Sequence, residues 1–127
     1  MIKNGEDFKN LETGESISKI LTNITSANVY IDSFSVKDAL DKGADIVLAG
    51  RVSDPGLTLG PLLHEYQWKS NDYNKLASGT LAGHIIECGA QCTGGNYTKW
   101  YELEDISNIG YPIVEVKKNG DFSVTKP

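Results

Sequence analysis

The sequence predicts an α/β fold with a parallel βαβ core, flanking helices and a C-terminal antiparallel β-hairpin. Residues 27–31 and 44–49 have the composition of strands, and a short helical segment lies between them. Strands joined through a helix by such short links pair in parallel. At the far end of the chain, residues 113–125 alternate apolar and polar side chains around Asn119-Gly120, a pattern typical of a hairpin.

Capping signals and apolar spacing predict four helical segments. Ser35 and Asp38 form a capping box and Gly43 suits the position after a helix end, so we expect a helix over residues 36–42. A short helix is expected over residues 17–24, and another over residues 57–63 with a break or kink at Pro61. The longest helix should begin after Asp72 and run to about residue 91, either continuous or interrupted near residue 79.

The hairpin has two alternative registers. A three-residue loop of residues 118–120 pairs Val116 with Phe122, Val114 with Val124 and Lys117 with Asp121. It creates one apolar face and puts Gly120 in the left-handed position that the loop requires, whereas a two-residue loop sets charged residues opposite apolar ones. We therefore predict the three-residue loop.

Composition, charge and cysteine spacing argue against a nucleic-acid-binding, membrane-binding or secreted protein. The 127 residues suffice for one domain, and the formal net charge is −5 with a sequence pI near 4.9. The 12 Lys and Arg residues are scattered, so we expect neither nucleic acid nor a membrane surface as a partner. The first residues lack the apolar core of a secretion signal, and the spacing of Cys88 and Cys92 argues against a disulfide. Both observations predict a cytoplasmic protein.

The candidate site lies on the long helix. At 100° per residue, four polar residues share a stripe roughly 60° wide, whereas their neighbours are mainly apolar or small. We call this set the polar stripe: Thr80, His84, Glu87 and Gln91. We expect the helix to be buried on most sides, so that the stripe faces either internal partners or a cavity.

The stripe offers acid–base chemistry. Glu87 in an apolar wall would have a raised pKa, and His84 could orient or share its proton. The structural alternative is a buried His–Glu pair that joins two helices. Cys88 adds i, i+3, i+4 ligand spacing, but it should point towards the apolar side, so the sequence predicts no metal and no cofactor.

Two loops are expected to contribute to the site. Arg51, Ser53 and Asp54 follow a predicted strand, and ligand sites in parallel α/β sheets lie at carboxyl strand ends. Asp54 before Pro55 is equally typical of a helix N-cap. The second loop, after the long helix, contains residues suited to a positive φ or to close approach of a ligand: Thr93, Gly94, Gly95 and Asn96.

Long ordered motifs carry a family resemblance. The segments ADIVLAGRVSDPGLTLGPLLHEY at residues 44–66 and LASGTLAGHIIECGAQCTGGN at residues 76–96 resemble the acyclic terpene utilisation family, AtuA-like. The likeness covers residues 27–127 well and residues 1–26 loosely. It implies that the 127 residues are a single partial domain, one piece of a larger α/β domain. From the residues alone, His64 and Glu65 are expected to be a solvated surface pair. The resemblance also places both of them in the family's motifs.

The resemblance implies a role in the catabolism of terpene-derived or branched-chain acyl-CoA thioesters. One hypothesis is an enzyme with His84 and Glu87 as its acid–base pair. Arg51 would bind a carboxylate or phosphate, with further ligand contacts from Ser53, Asp54, Thr80, Gln91 and the residue 93–96 loop. The other is a non-catalytic subunit or scaffold of a carboxylase-type complex. Both imply an oligomer or the missing domain halves.

Overall fold

The computed structural model describes residues 2–127 and has a mixed α/β architecture. Its main elements are α1 (Ser33–Asp41), α2 (Gly56–Tyr66), α3 (Tyr73–Cys88), β1 (Ile113–Val116) and β2 (Phe122–Thr125). Short 3₁₀ turns occur at Ile2–Asn4, Ile17–Lys19, Leu21–Asn23 and Trp100–Glu102, and a π-turn at Gln91–Gly95. None of the helices in residues 2–127 is long and apolar enough to cross a membrane.

The expected parallel βαβ core is not formed within residues 2–127. The one parallel pairing there is a bridge between Ile31 and Val52, with the Ile31 amide donating to the Arg51 carbonyl at 2.9 Å. Residues 44–49 were expected as a buried strand, yet Ile46 is 87% and Leu48 98% exposed. A parallel strand is stable when apolar layers cover both of its faces. Those layers are missing around this segment in the described part of the chain.

Helix α1 begins two residues before the expected N-cap. The Asp32 carboxylate accepts the Ser35 amide at 2.9 Å, so Asp32 is the N-cap and the predicted Ser35–Asp38 capping box is wrong. Either residue type can cap a helix, and Asp32 also accepts the Ser35 hydroxyl. Gly43 has φ +86° just past the C-cap Lys42, which confirms its expected position. The predicted helix over residues 17–24 is replaced by two 3₁₀ turns.

Helices α2 and α3 are both continuous. Pro61 lies inside α2 without interrupting it, so of the predicted break or kink the break is wrong. Asp72 is the N-cap of α3, but its carboxylate accepts the Lys69 amide rather than a helical one. Helix α3 ends at Cys88, three residues before Gln91, because Gly89 adopts φ +54°. The expected extension of the helix to residue 91 is therefore wrong.

The hydrophobic core surrounds α2, which packs against α1 on one side and α3 on the other. Leu63, Leu59 and Trp68 form its centre, and Val36 and Ala82 are buried nearby. Burying such side chains supplies the main driving force for folding.

The hairpin is attached through two aromatic side chains, one at the end of α2 and one just after it. The Tyr66 hydroxyl donates to the Val116 carbonyl at 2.7 Å, and Trp68 Nε1 donates to the Lys118 carbonyl at 2.9 Å. Val114 pairs with Val124 and Val116 with Phe122, and Gly120 has φ +97°. The Lys117 amide donates to the Asp121 carbonyl at 2.8 Å. The predicted three-residue loop and register are therefore confirmed.

A glycine brings α3 close to the turn before α2. A Cβ on Gly83 would lie 2.8 Å from both the carbonyl oxygen and the Cβ of Pro55. Real Cβ atoms do not approach other heavy atoms so closely, so this crossing requires glycine. Because Gly83 precedes His84, the contact sets the polar stripe beside residues 50–55.

Candidate site at the cleft between residues 50–55 and helix α3

The loop of residues 50–55 is held by backbone hydrogen bonds at Ser53. The Ser53 amide donates to the Ile31 carbonyl at 3.0 Å, and the Gly56 amide donates to the Ser53 carbonyl at 2.6 Å. Pro55 is the N-cap residue of α2 and no side chain caps that helix, so the expected capping role of Asp54 is wrong. Asp54 borders the space between the loop and α3.

Two open cavities meet along this loop. The first, of about 430 Å³, is lined in part by Arg51, Leu48, Leu57 and Glu87, and we call it the Arg51 cavity. The second, of about 620 Å³, is lined in part by Tyr30, Thr80, Leu81 and His84, and we call it the His84 cavity. Both are also bordered by Ser53 and Asp54. Together they form a cleft with the loop on one side and three members of the polar stripe on the other.

Arg51 is the only arginine of the sequence. Its Nη2 donates to the Tyr30 hydroxyl at 2.7 Å, and its Cζ lies 5.0 Å from the centroid of the Tyr30 ring. Tyrosine therefore orients the guanidinium through a hydrogen bond and a cation–π contact. A guanidinium has five N–H donors, so most of them remain available to an anionic ligand.

Helix α3 is less buried than its sequence suggests. Its buried residues are the small ones that meet α2 and the turn before it, Gly79, Ala82 and Gly83, whereas Leu81 is 54% exposed. Thr80, His84 and Glu87 are all exposed. The expectation of a helix buried on most sides is therefore wrong, and so is the alternative of a buried His84–Glu87 pair.

A thiol lies between the two expected acid–base groups. Cys88 Sγ is 3.5 Å from His84 Nε2 and 3.5 Å from Glu87 Oε2, and these ligand atoms all lie within 4.8 Å of one another. Partial desolvation, followed by the hydrogen bond and charge of Glu87, raises the pKa of the Cys88 thiol. The expectation that Cys88 points to the apolar side is therefore wrong. Cys88 and Cys92 are both free, as predicted.

The remaining expected ligand contacts lie beyond the end of α3. The Gln91 side chain accepts a hydrogen bond from Asn96 at 3.0 Å, and the Thr93 hydroxyl is 3.0 Å from the Gly110 carbonyl. Gly94 has φ +135°, which fits the expected need for a positive φ in this loop. Gln91, Thr93, Gly94, Gly95 and Asn96 line neither cavity of the cleft.

His64 belongs to a different region. Its Nδ1 lies 2.6 Å from Asp41 Oδ1, so it connects α2 to α1 rather than forming a surface pair with Glu65. Hydrogen bonds from Lys37 and then from His64 hold the pKa of Asp41 below its usual range. His64 and Glu65 border a third cavity of about 700 Å³, next to Pro61 and Val116.

Sequence reasoning missed Tyr30 and set Cys88 aside. The i, i+3, i+4 spacing of Cys88 with His84 and Glu87 was visible in the sequence, but Cys88 was expected to point to the apolar side, whereas residues four apart on a helix share a side. Nothing in the spacing of Tyr30 marks it as a partner of Arg51. Only the Ile31–Val52 bridge brings those two residues together.

The described residues thus define a mixed α/β protein with an open, partly charged cleft. The family model for the acyclic terpene utilisation family protein AtuA matches residues 1–127. The chain therefore belongs to the acyclic terpene utilisation family, as its motifs indicate. No curated protein and no solved structure matches the chain.

Proposed function

We propose that this chain contributes the binding and reacting surface of an enzyme acting on branched-chain acyl-CoA thioesters in acyclic terpene catabolism. The observation that carries the proposal is the shared cleft. Arg51 and Glu87 line one cavity, His84 lines the next, and Asp54 borders both. A positive group able to bind an anion and two groups able to transfer protons thus border two adjoining cavities that share Ser53 and Asp54.

In this proposal the residues that line the cleft have different roles. Arg51, held by Tyr30, binds a phosphate or carboxylate of the ligand. The acyl chain lies against the apolar side chains of Leu48, Leu57 and Leu81. His84 and Glu87 act as acid and base, with Ser53, Thr80 and Asp54 as polar contacts.

Calorimetric titration with a short branched acyl-CoA tests the binding step. We expect Arg51→Gln to weaken binding by about 10- to 100-fold, the loss that accompanies removal of one or two charge-assisted hydrogen bonds. Lys117→Gln, which removes the same charge from the hairpin, is the matched control and should bind as the wild type does. If the wild type has no affinity, or if Arg51→Gln binds equally well, the proposal is wrong.

A second experiment tests the acid–base role. Glu87→Gln should retain acyl-CoA affinity and lose conversion of the bound thioester, followed by mass spectrometry. Because Glu87 is exposed, this change should alter the free energy of unfolding by no more than about 0.5 kcal/mol. A Glu87→Gln variant that converts the thioester at the wild-type rate would contradict the role.

The exposed apolar residues favour a second candidate, a subunit or scaffold of a carboxylase-type complex. Ile46 and Leu48 lie on the surface of a segment that has strand-like composition. Exposed apolar side chains of this kind mark surfaces that other chains or domains cover. Absence of acyl-CoA affinity, together with a stoichiometric complex with a carboxylase subunit, would favour this candidate over the enzyme.

A further inference from the structure

The C-terminal end of α3, residues 84–88, has the composition of a transition-metal site. Histidine nitrogen, cysteine sulfur and carboxylate oxygen are the ligand types that zinc binds in proteins. His84, Glu87 and Cys88 supply one of each within 4.8 Å of one another. We propose that these three side chains bind a thiophilic divalent cation of the zinc type at the α3 wall of the cleft.

The distances within the cluster fit such an ion. Bonds of about 2.3 Å to sulfur and about 2.0–2.2 Å to nitrogen or oxygen, meeting at a tetrahedral angle, separate the ligand atoms by roughly 3.5 Å. Cys88 Sγ lies 3.5 Å from His84 Nε2 and 3.5 Å from Glu87 Oε2. Two of the three ligand–ligand edges therefore have the required length before a metal binds.

The electrostatics of the helix end also favour a cation. The C-terminal turn of a helix has a partial negative charge, and a carboxylate placed there is unfavourable unless a positive charge is close. The last turn of α3 contains Glu87 and no basic residue. Within residues 2–127, no ion pair to Lys, Arg or His involves Glu87. A divalent cation would compensate the carboxylate and the helix end together.

Three protein ligands leave the fourth tetrahedral position open. Catalytic zinc sites have this arrangement, whereas structural sites fill all four positions with protein ligands. Glu87 lines the Arg51 cavity and His84 lines the His84 cavity, so the cluster lies along the proposed ligand path. The inference deepens the proposed function and rests on it only for the identity of the ligand. When bound, the cation would supply a Lewis acid there, and His84 and Glu87 would hold it instead of serving as the acid–base pair.

Metal titration of the full 127-residue chain tests the site without any acyl-CoA. The reduced, metal-free protein is titrated with Zn²⁺ by calorimetry and with Co²⁺ by absorbance. We expect one ion per chain and a thiolate-to-cobalt charge-transfer band. His84→Gln, Glu87→Gln and Cys88→Ser should each weaken Zn²⁺ binding by at least about 10- to 100-fold, a loss that even outer-sphere changes can cause. Only Cys88→Ser should abolish the charge-transfer band.

The second histidine provides the matched control. His64→Gln removes an imidazole from the 700 Å³ cavity and should leave Zn²⁺ affinity unchanged. Circular dichroism of each variant distinguishes the loss of a metal-binding side chain from the loss of the fold. A wild-type protein that binds no Zn²⁺ would refute the site. Variants His84→Gln and Glu87→Gln that bind Zn²⁺ as tightly as the wild type would also refute it, since the two thiols alone would then account for binding. Failure here leaves the Arg51-dependent binding of acyl-CoA unaffected.

Discussion

Leu63 and Leu48 are the same residue type in segments of similar apolar character, yet their environments are opposite. Leu63 in α2 is 0% exposed and packs with Leu59 and Trp68. Leu48 follows α1 and is 98% exposed. The difference shows that an apolar segment is buried only where a second secondary-structure element packs over it. Helices α1 and α3 cover α2, whereas nothing in residues 2–127 covers residues 44–49 to the same degree.

Truncating the buried leucine should have the largest effect on stability. We expect Leu63→Ala to lower the free energy of unfolding by about 2–5 kcal/mol, because it removes buried methyl groups and leaves a cavity. Leu57→Ala is the matched control, since Leu57 lies in the same helix and is 61% exposed. Urea denaturation measures both. Equal losses for the two variants would show that Leu63 is no more buried than Leu57.

An added methyl group at the crossing of α3 and Pro55 should have the next largest effect. We expect Gly83→Ala to destabilise the protein by about 1–3 kcal/mol, since overpacking costs more than the gain in helix propensity. It should also weaken acyl-CoA binding, because it separates α3 from residues 50–55.

Gly50→Ala is the corresponding control. No heavy atom lies within 4 Å of a Cβ at this position and its φ is not positive. It should be neutral or stabilise the fold by about 0.4–1 kcal/mol. Thermal unfolding compares the two variants, and a Gly83→Ala protein as stable as the wild type would refute the close crossing.

The smallest change in stability is expected at the exposed leucine. Leu48→Ser should shift the free energy of unfolding by no more than about 0.5 kcal/mol, because the side chain is exposed to water in both the folded and the unfolded protein. Sedimentation should show weaker self-association if residues 44–49 meet another copy. Leu48→Ile, which keeps the apolar surface, is the control. A loss above about 2 kcal/mol for Leu48→Ser would mean that this segment is buried in solution.

Local chemistry determined the parts of the fold that sequence reasoning predicted correctly. Gly43 ends α1 and Gly120 closes the hairpin because positive φ angles are available mainly to glycine. The hairpin register follows from the alternation of Val114 and Val116 with polar neighbours, since a shift by one residue would reverse the faces. The same kind of reasoning predicted a helix containing Thr80, His84 and Glu87 on one side.

Two further features of the fold did not follow from the sequence pattern. The N-cap of α1 is Asp32 rather than Ser35, a choice between two suitable caps. The parallel strand pairing was reduced to the Ile31–Val52 bridge because its burial depends on layers that residues 2–127 do not supply.

The candidate site, like the fold, has features that the sequence predicted and features that only the structure showed. The sequence by itself determined which residues are candidates for functional chemistry, because Arg51, Asp54, His84 and Glu87 stand out by type and by spacing. Only the structure showed that Arg51 meets Tyr30, that α3 ends before Gln91 and that the Cys88 thiol turns towards His84 and Glu87. The physical reason is that a side chain's neighbours depend on where a helix ends and on how closely two elements approach. Here those two features are decided by Gly89 and by Gly83 against Pro55.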